Sequence, residues 1–197
     1  HCNALAAHFA RQGVVRDSLV ALRGKNSADM LACYLALLQS GARVLPLNPQ
    51  LPESLISTLL PQLQVSFLLD LSSAPMLINE GDSAALRLLR FTASLSGAED
   101  ASCTPMIPWD AQRIATLTLT SGSSGLPKAA AHAFSAHIAS ARGVIALMNY
   151  RPQDSWLLSL PLFHVSGQGI VWRWLCAGAT LVIRAEQSLE QALQGCS

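Results

Sequence analysis

One connection occurs twice in this chain, and it restricts the fold more than any other feature. Leu37-Leu38-Gln39-Ser40-Gly41-Ala42-Arg43-Val44-Leu45 and Trp174-Leu175-Cys176-Ala177-Gly178-Ala179-Thr180-Leu181-Val182 both read as the end of an apolar helix, a glycine, an alanine and the start of a strand. Glycine just past a helix supplies the left-handed residue that other side chains resist. The pattern is a recurring αβ connection and does not require internal duplication. Strands that alternate with helices of ten or more residues predict an α/β fold of helix-covered, mostly parallel sheets.

The rest of the chain fits that alternation. Leu5, His8, Phe9 and Gln12 lie at helical spacing ahead of Gly13, and Val14 to Leu22 is strand-compatible. After the turn at Arg23-Gly24-Lys25-Asn26, Ser27 is a good N-cap for a helix running to about Gln39. Arg43 to Leu47 predicts a strand, Pro52-Glu53 opens a helix to about Leu63, and Val65 to Leu69 predicts another strand. Residues 71–112 are polar and small and predict variable loops, with a short strand around Leu86 to Phe91. A strand over Ile114 to Thr120 is expected, then a helix from Ala130 to Met148, a strand from Trp156 to Leu160, a helix from Ser166 to Cys176 with Ser166 as its cap, and a strand over Thr180 to Arg184. Ser188 to Gln194 reads as a last helix closed by Gly195.

In such sheets ligands bind beyond the carboxyl ends of the strands. Two loops leave such ends. The first is Thr120-Ser121-Gly122-Ser123-Ser124-Gly125-Leu126-Pro127-Lys128. Its glycines let backbone N–H groups approach a ligand, its hydroxyls add donors, and Lys128 adds a mobile positive charge. Those are the parts that hold a polyphosphate. The spacing is not that of the Gly-Lys-Ser/Thr phosphate loop, because Pro127 precedes Lys128 and Ala129 follows it. A flexible Ser/Gly linker is the competing reading, but linkers rarely sit between a β-rich run and an amphipathic one.

The second loop is Pro161-Leu162-Phe163-His164, followed by Val165-Ser166-Gly167-Gln168-Gly169. His164 is either a loop histidine bonded to backbone or part of the wall of an organic substrate's pocket. Arg173 follows within an apolar, aromatic helix, and no Asp or Glu lies between Asp154 and Glu186. An unpaired buried guanidinium is unfavourable. Arg173 therefore faces water, pairs elsewhere in the protein, or forks a substrate carboxylate from the helix face it shares with Ser166.

Composition excludes several classes. A net charge of +1 offers nothing to nucleic acid or an anionic membrane, and no apolar run approaches a bilayer-spanning length. Five widely spaced cysteines without a C-x-x-C pair read as reduced thiols. No metal ligand is expected, and His132 and His137 read as ordinary helix residues. Charged residues make up only 13% and hydrophobic ones 51%, more apolar than a typical soluble chain. With the absent start methionine and a C-terminal helix that leads to no strand, this predicts a piece cut from a longer cytoplasmic protein.

Together the motifs resemble the adenylate-forming superfamily of acyl-CoA synthetases, luciferases and peptide-synthetase adenylation domains. Thr120 to Lys128 is similar to its signature loop, usually Ser/Thr-Ser-Gly-Ser/Thr-Thr-Gly-x-Pro-Lys, with Ser124 where threonine is commoner and Ala129 in place of glycine. Gly41 to Pro49 is similar to an earlier core motif, and Pro161 to His164 to the motif whose aromatic and histidine residues border the acyl pocket. Within the superfamily the likeness of Leu45 to Pro52, Leu158 to Ile170 and Trp172 to Leu175 is to a branch acting on an aromatic dicarboxylate. The resemblance implies that residues 1–197 are part of the large N-terminal adenylation domain, without its start, its later part and the C-terminal lid domain. It implies ATP, Mg²⁺ and coenzyme A as cofactors or co-substrates. Thr120, Ser121, Gly122, Ser123, Ser124, Gly125 and Lys128 would hold nucleotide, and Lys128 and His164 would sit at the chemistry. His164, Ser166, Gly167 and Arg173 would bind the acid. A homodimer is the family expectation. The segment alone is expected not to turn over, since the adenine, Mg²⁺ and ribose motifs and the catalytic lysine of the lid lie downstream. Another aryl- or acyl-CoA synthetase stays open as an alternative. So does an amidase-type hydrolase, for which only Lys25 could serve as the upstream lysine.

Overall fold

The computed structural model describes residues 1–73, 75–76, 86–92, 107–120 and 127–184. Among the described residues, five helices and eight strands follow in the order α1 (Cys2–Arg11), β1 (Leu19–Arg23), α2 (Ala28–Gln39), β2 (Arg43–Leu47), α3 (Glu53–Gln62), β3 (Phe67–Asp70), β4 (Arg87–Leu88), β5 (Ile114–Thr120), β6 (Lys128–Ala133), α4 (Phe134–Met148), β7 (Ser155–Leu157), α5 (Val165–Ala177) and β8 (Thr180–Val182). The main sheet has strand order β4-β3-β1-β2-β5-β6, and β7 pairs with β8 in a second, two-stranded sheet. All pairings are parallel except β5 with β6, the antiparallel edge.

Strand side chains alternate between two cores, as a pleat of period two requires. Val20 and Leu22 of β1, Val44 of β2 and Phe67 and Leu69 of β3 enter one core with Leu5 and Phe9 of α1, Met30, Tyr34 and Leu37 of α2, and Ile170 and Val171 of α5. Leu19, Ala21, Leu45, Leu47 and Leu68 point the other way, against Ile56 and Leu60 of α3. Helices thus cover both faces, the condition for a parallel sheet of near-continuous apolar strands.

Local chemistry sets several boundaries as expected. The Ser27 hydroxyl accepts from the Met30 amide at 3.0 Å and starts α2. Gly41 and Gly178 both carry positive φ, +82° and +67°.

Three expectations are corrected. The helix expected from Ala130 begins at Phe134, because Lys128–Ala133 pairs antiparallel with β5, Thr120 opposite Lys128 through Ile114 opposite Ala133. Sheet pairing overrides the helical preference of its alanines. His132 consequently lies on a strand; only His137 is helical. Ser166 does not cap α5, whose N-cap is His164. The strand expected from Val14 begins only at Leu19, after a turn in which Asp17 takes φ +65°. The helix expected over Ser188 to Gln194 lies outside the described residues.

Candidate active site

The carboxyl ends of β1, β2 and β3 are tied by one buried arginine. Arg23 closes β1 and contacts Asp70 at the end of β3 at 2.8 Å, the Ser72 hydroxyl at 2.8 Å and the Pro49 carbonyl at 2.6 Å. Burial pushes the Asp70 carboxyl up. Bonds from the Ser72 hydroxyl, the Met76 and Ser72 amides and Arg23 outweigh that and hold it below its ordinary value. A buried pair this well bonded fixes geometry more than it adds stability.

Between β2 and β5 the sheet opens. The ladder from β1 to β2 continues through Leu22 opposite Pro46, whereas β2 meets β5 at Val44 opposite Thr116. Pro46 has no N–H to donate to a further rung. Beyond it lies a cavity of about 170 Å³ lined by Pro46, Asn48, Leu51, Leu119, Phe163 and His164. This cavity unites all three motifs: the segment after β2, the strand that leads into the Ser/Gly loop, and the Pro161–His164 loop. It lies beyond the strand ends, where ligands of such sheets bind.

The Pro161–His164 loop is held from a distance. Asn26 donates from Nδ2 to the carbonyls of Leu158 and Leu160, at 3.3 and 2.9 Å, and its Oδ1 accepts from the Leu162 amide at 3.0 Å. The His164 amide donates to Pro161 at 3.0 Å, and the His164 side chain is exposed at the start of α5. Gly167 is buried, and a Cβ there would collide with the Pro161 carbonyl and stand 2.6 Å from that of Leu160. Its smallness lets α5 close on the loop; its neighbour Ser166 is exposed.

β5 presents three threonines on one face. The Thr116 hydroxyl meets Nε2 of His137 at 2.8 Å, and the His137 ring stacks on Trp172. Burial, then the charge of His132, pushes the His137 pKa down to about 4, so it is a neutral packing residue at physiological pH. Thr118 accepts from Gln168 at 3.3 Å. The Thr120 hydroxyl donates to the Lys128 carbonyl at 3.2 Å, which pins the two ends of the Ser/Gly loop together. Lys128 itself is exposed. Ser121, Gly122, Ser123, Ser124 and Gly125 lie outside the described residues.

Arg173 does not line the 170 Å³ cavity. It lies against the face of Trp156 in β7, 4.5 Å from the ring centroid, with its guanidinium turned back along α5. A Cβ at Gly169 would be 3.6 Å from one of its terminal nitrogens. Its Nε is buried and meets no acceptor among the described residues. Burial pushes its pKa down, and only Tyr150 pushes it back. A guanidinium in that condition is prepared for an anion.

The described cavity offers a hard cation one amide oxygen, from Asn48, and no carboxylate. It does not by itself fit Mg²⁺. Asn26 and Gln168 were not expected at the site. Their only signal in the sequence is a lone amide in a turn and a lone amide in an apolar helix.

The profile of the AMP-binding enzyme family matches residues 1–195. The 2-succinylbenzoate–CoA ligase of Salmonella typhimurium is 51% identical over 98% of this chain, and that of Escherichia coli 50% identical over 98%. The matched chain spans 40% of the length of each of these relatives. An arginine-to-lysine variant of E. coli MenE, solved with bound OSB-AMS, superposes with a TM-score of 0.83 at 46% identity. The match covers 100% of this chain and 41% of that one.

Proposed function

Since this chain belongs to the AMP-binding enzyme family, we propose that the whole protein activates o-succinylbenzoate with ATP and passes the acyl group to coenzyme A, the step that serves menaquinone synthesis. In the first half-reaction a substrate carboxylate oxygen attacks the α-phosphorus of ATP and pyrophosphate leaves, giving the acyl-adenylate. In the second the coenzyme A thiol attacks the acyl carbon, loses its proton and expels AMP. Mg²⁺ would neutralise phosphate charge, on ligands outside the described cavity.

The chain's own residues suit the first step. Thr120 and Lys128 hold the two ends of the Ser/Gly loop together, and its glycines, hydroxyls and Lys128 are the residue types that would bind and neutralise the phosphates. Phe163 and His164 line the cavity together with Leu119, the residue before Thr120. The free thiols Cys2, Cys33 and Cys176 suit the reducing cytoplasm.

The observation that carries the substrate is Arg173. It is a half-buried guanidinium with an aromatic face behind it and no carboxylate partner among the described residues. A benzoate that keeps one carboxylate free while the other reacts supplies both the missing charge and the ring. ATP–pyrophosphate exchange by the whole protein, with o-succinylbenzoate and with a panel of mono-acids, tests this. Exchange with o-succinylbenzoate is expected, and Arg173→Leu is expected to lower kcat/KM for it by about 10- to 100-fold, the value of a charged hydrogen bond. Exchange with a different acid alone would discard the substrate and leave the family chemistry standing.

A further inference from the structure

Gln168 occupies an unusual position in the candidate site. It is completely buried, in the first turn of α5, among apolar neighbours. Its Nε2 donates to two groups on different elements: the Thr118 hydroxyl of β5 at 3.3 Å and the Leu162 carbonyl at 3.1 Å. The Leu162 carbonyl can only accept, so the amide orientation is fixed, with nitrogen toward the bridge. Its Oε1 is buried and has no donor among the described residues.

A buried amide with one unsatisfied oxygen is a poor device for stability. Leaving such an acceptor unpaired costs about 1–3 kcal/mol, and replacing both partners by apolar groups is often nearly neutral. What the amide does provide is a fixed distance. Thr118 lies two residues before Thr120, where the Ser/Gly loop begins. Leu162 lies two residues before His164, which lines the cavity together with Leu119 of β5. One side chain therefore spans the two segments that must bring nucleotide and acid together.

We propose that Gln168 is a positioning residue for adenylation, setting the separation between the carboxyl end of β5, from which the Ser/Gly loop leaves, and the cavity wall at Phe163 and His164. It touches neither reactant. It acts through Thr118 and Leu162, and it rests on the adenylation reading given above. In-line attack on phosphorus is steep in distance, and a misplacement near 1 Å costs about 100-fold in rate.

The test is a double-mutant cycle in the whole protein with Gln168→Met and Thr118→Val, both apolar and close in size. Exchange would be measured with whichever acid the wild type accepts, beside the thermal midpoint. Gln168→Met is expected to lower kcat about 10- to 100-fold while the KM values for ATP and acid change less than about 3-fold. Thr118→Val should give a comparable loss, and the double variant should be no worse than Gln168→Met, since both remove one bridge. An unchanged kcat, losses that multiply in the double variant, or a rate loss that only tracks a fall in melting temperature would overturn the proposal. Hydrogen exchange supplies a readout that needs no acid. ATP should slow amide exchange over residues 157–169 in the wild type and not in Gln168→Met. Equal protection in both would refute the bridge. If the wild type exchanges pyrophosphate with no acid, the adenylation reading fails, while the protection measurement still decides whether Gln168 couples the two segments.

Discussion

The two helix–glycine–strand connections share one pattern, an apolar helix end, a glycine, an alanine and a strand, and are opposite in surroundings. At Gly41 the chain leaves α2 for β2 inside the main sheet. The Gly41 carbonyl accepts from the Asp17 amide and from Arg113, and a Cβ would collide with Ile107 while standing 3.3 Å from the Arg16 Cα. β2 that follows is buried at four of its five positions. At Gly178 the chain leaves α5 for β8, again with positive φ, yet a Cβ there would meet nothing within 4 Å among the described residues, and β8 is exposed or half-buried throughout. Local sequence therefore sets the backbone turn in both places. What the turn is worth depends on what has been packed around it.

Substitutions can break that contrast. Gly41→Ala meets both a left-handed backbone and an occupied space, and is expected to destabilise the whole protein by about 2–4 kcal/mol in urea unfolding. A cost no larger than that at Gly178 would show that the surroundings of Gly41 yield freely. A pH series sharpens the contrast at His137, which joins Thr116 of the main sheet to Trp172 of α5 beside the smaller one. Its folded pKa, about 4, lies below the ordinary 6.5, so the unfolded chain takes up the proton first. Its neutral packing supports the fold above pH 6.5, and that support is lost as pH falls toward 4, by up to about 3 kcal/mol. Melting temperatures between pH 7.5 and 4.5 should fall more steeply for the wild type than for His137→Gln, and parallel curves would contradict the assignment. Gly178→Ala should show the smallest effect, about 1 kcal/mol from backbone strain alone. A larger loss would mean that a further part of the whole protein packs on that turn.

The legible parts of the molecule are those written in short-range chemistry. β2 runs over Arg43–Leu47 as expected, and Ser27 caps α2, because apolar pattern, cap and glycine all agree within a few residues. β6 was misread for the converse reason. Its Ala-rich run favours a helix locally, and only pairing with β5 makes it a strand. The site divides in the same way. Phe163 and His164 line the cavity, whereas Arg173 stands off it, with its guanidinium turned back toward Gly169. Asn26 escaped notice because its partners lie 132–136 residues away, and Gln168 because its bond to Thr118 reaches across 50 residues, distances over which a single sequence carries no pattern. Gly167, expected among the acid-binding residues, has a packing reason to be glycine that its local sequence did not reveal: a Cβ there would collide with the Pro161 carbonyl.

The reach of Asn26 also has a temporal meaning. Its side chain holds a loop whose Leu162 amide comes 136 residues later in the chain. During synthesis from the amino terminus, β1, α2 and β2 can pair and bury their shared core long before that loop exists. The wall at Phe163 and His164 therefore forms late, and closing it carries the entropy of a very long loop, which contacts made first by the sheet must already have reduced. A partly made chain would hold the Arg23 side of the cleft with nothing opposite it. Binding competence in this protein should arrive as one of the last events of folding, well after the sheet has become compact.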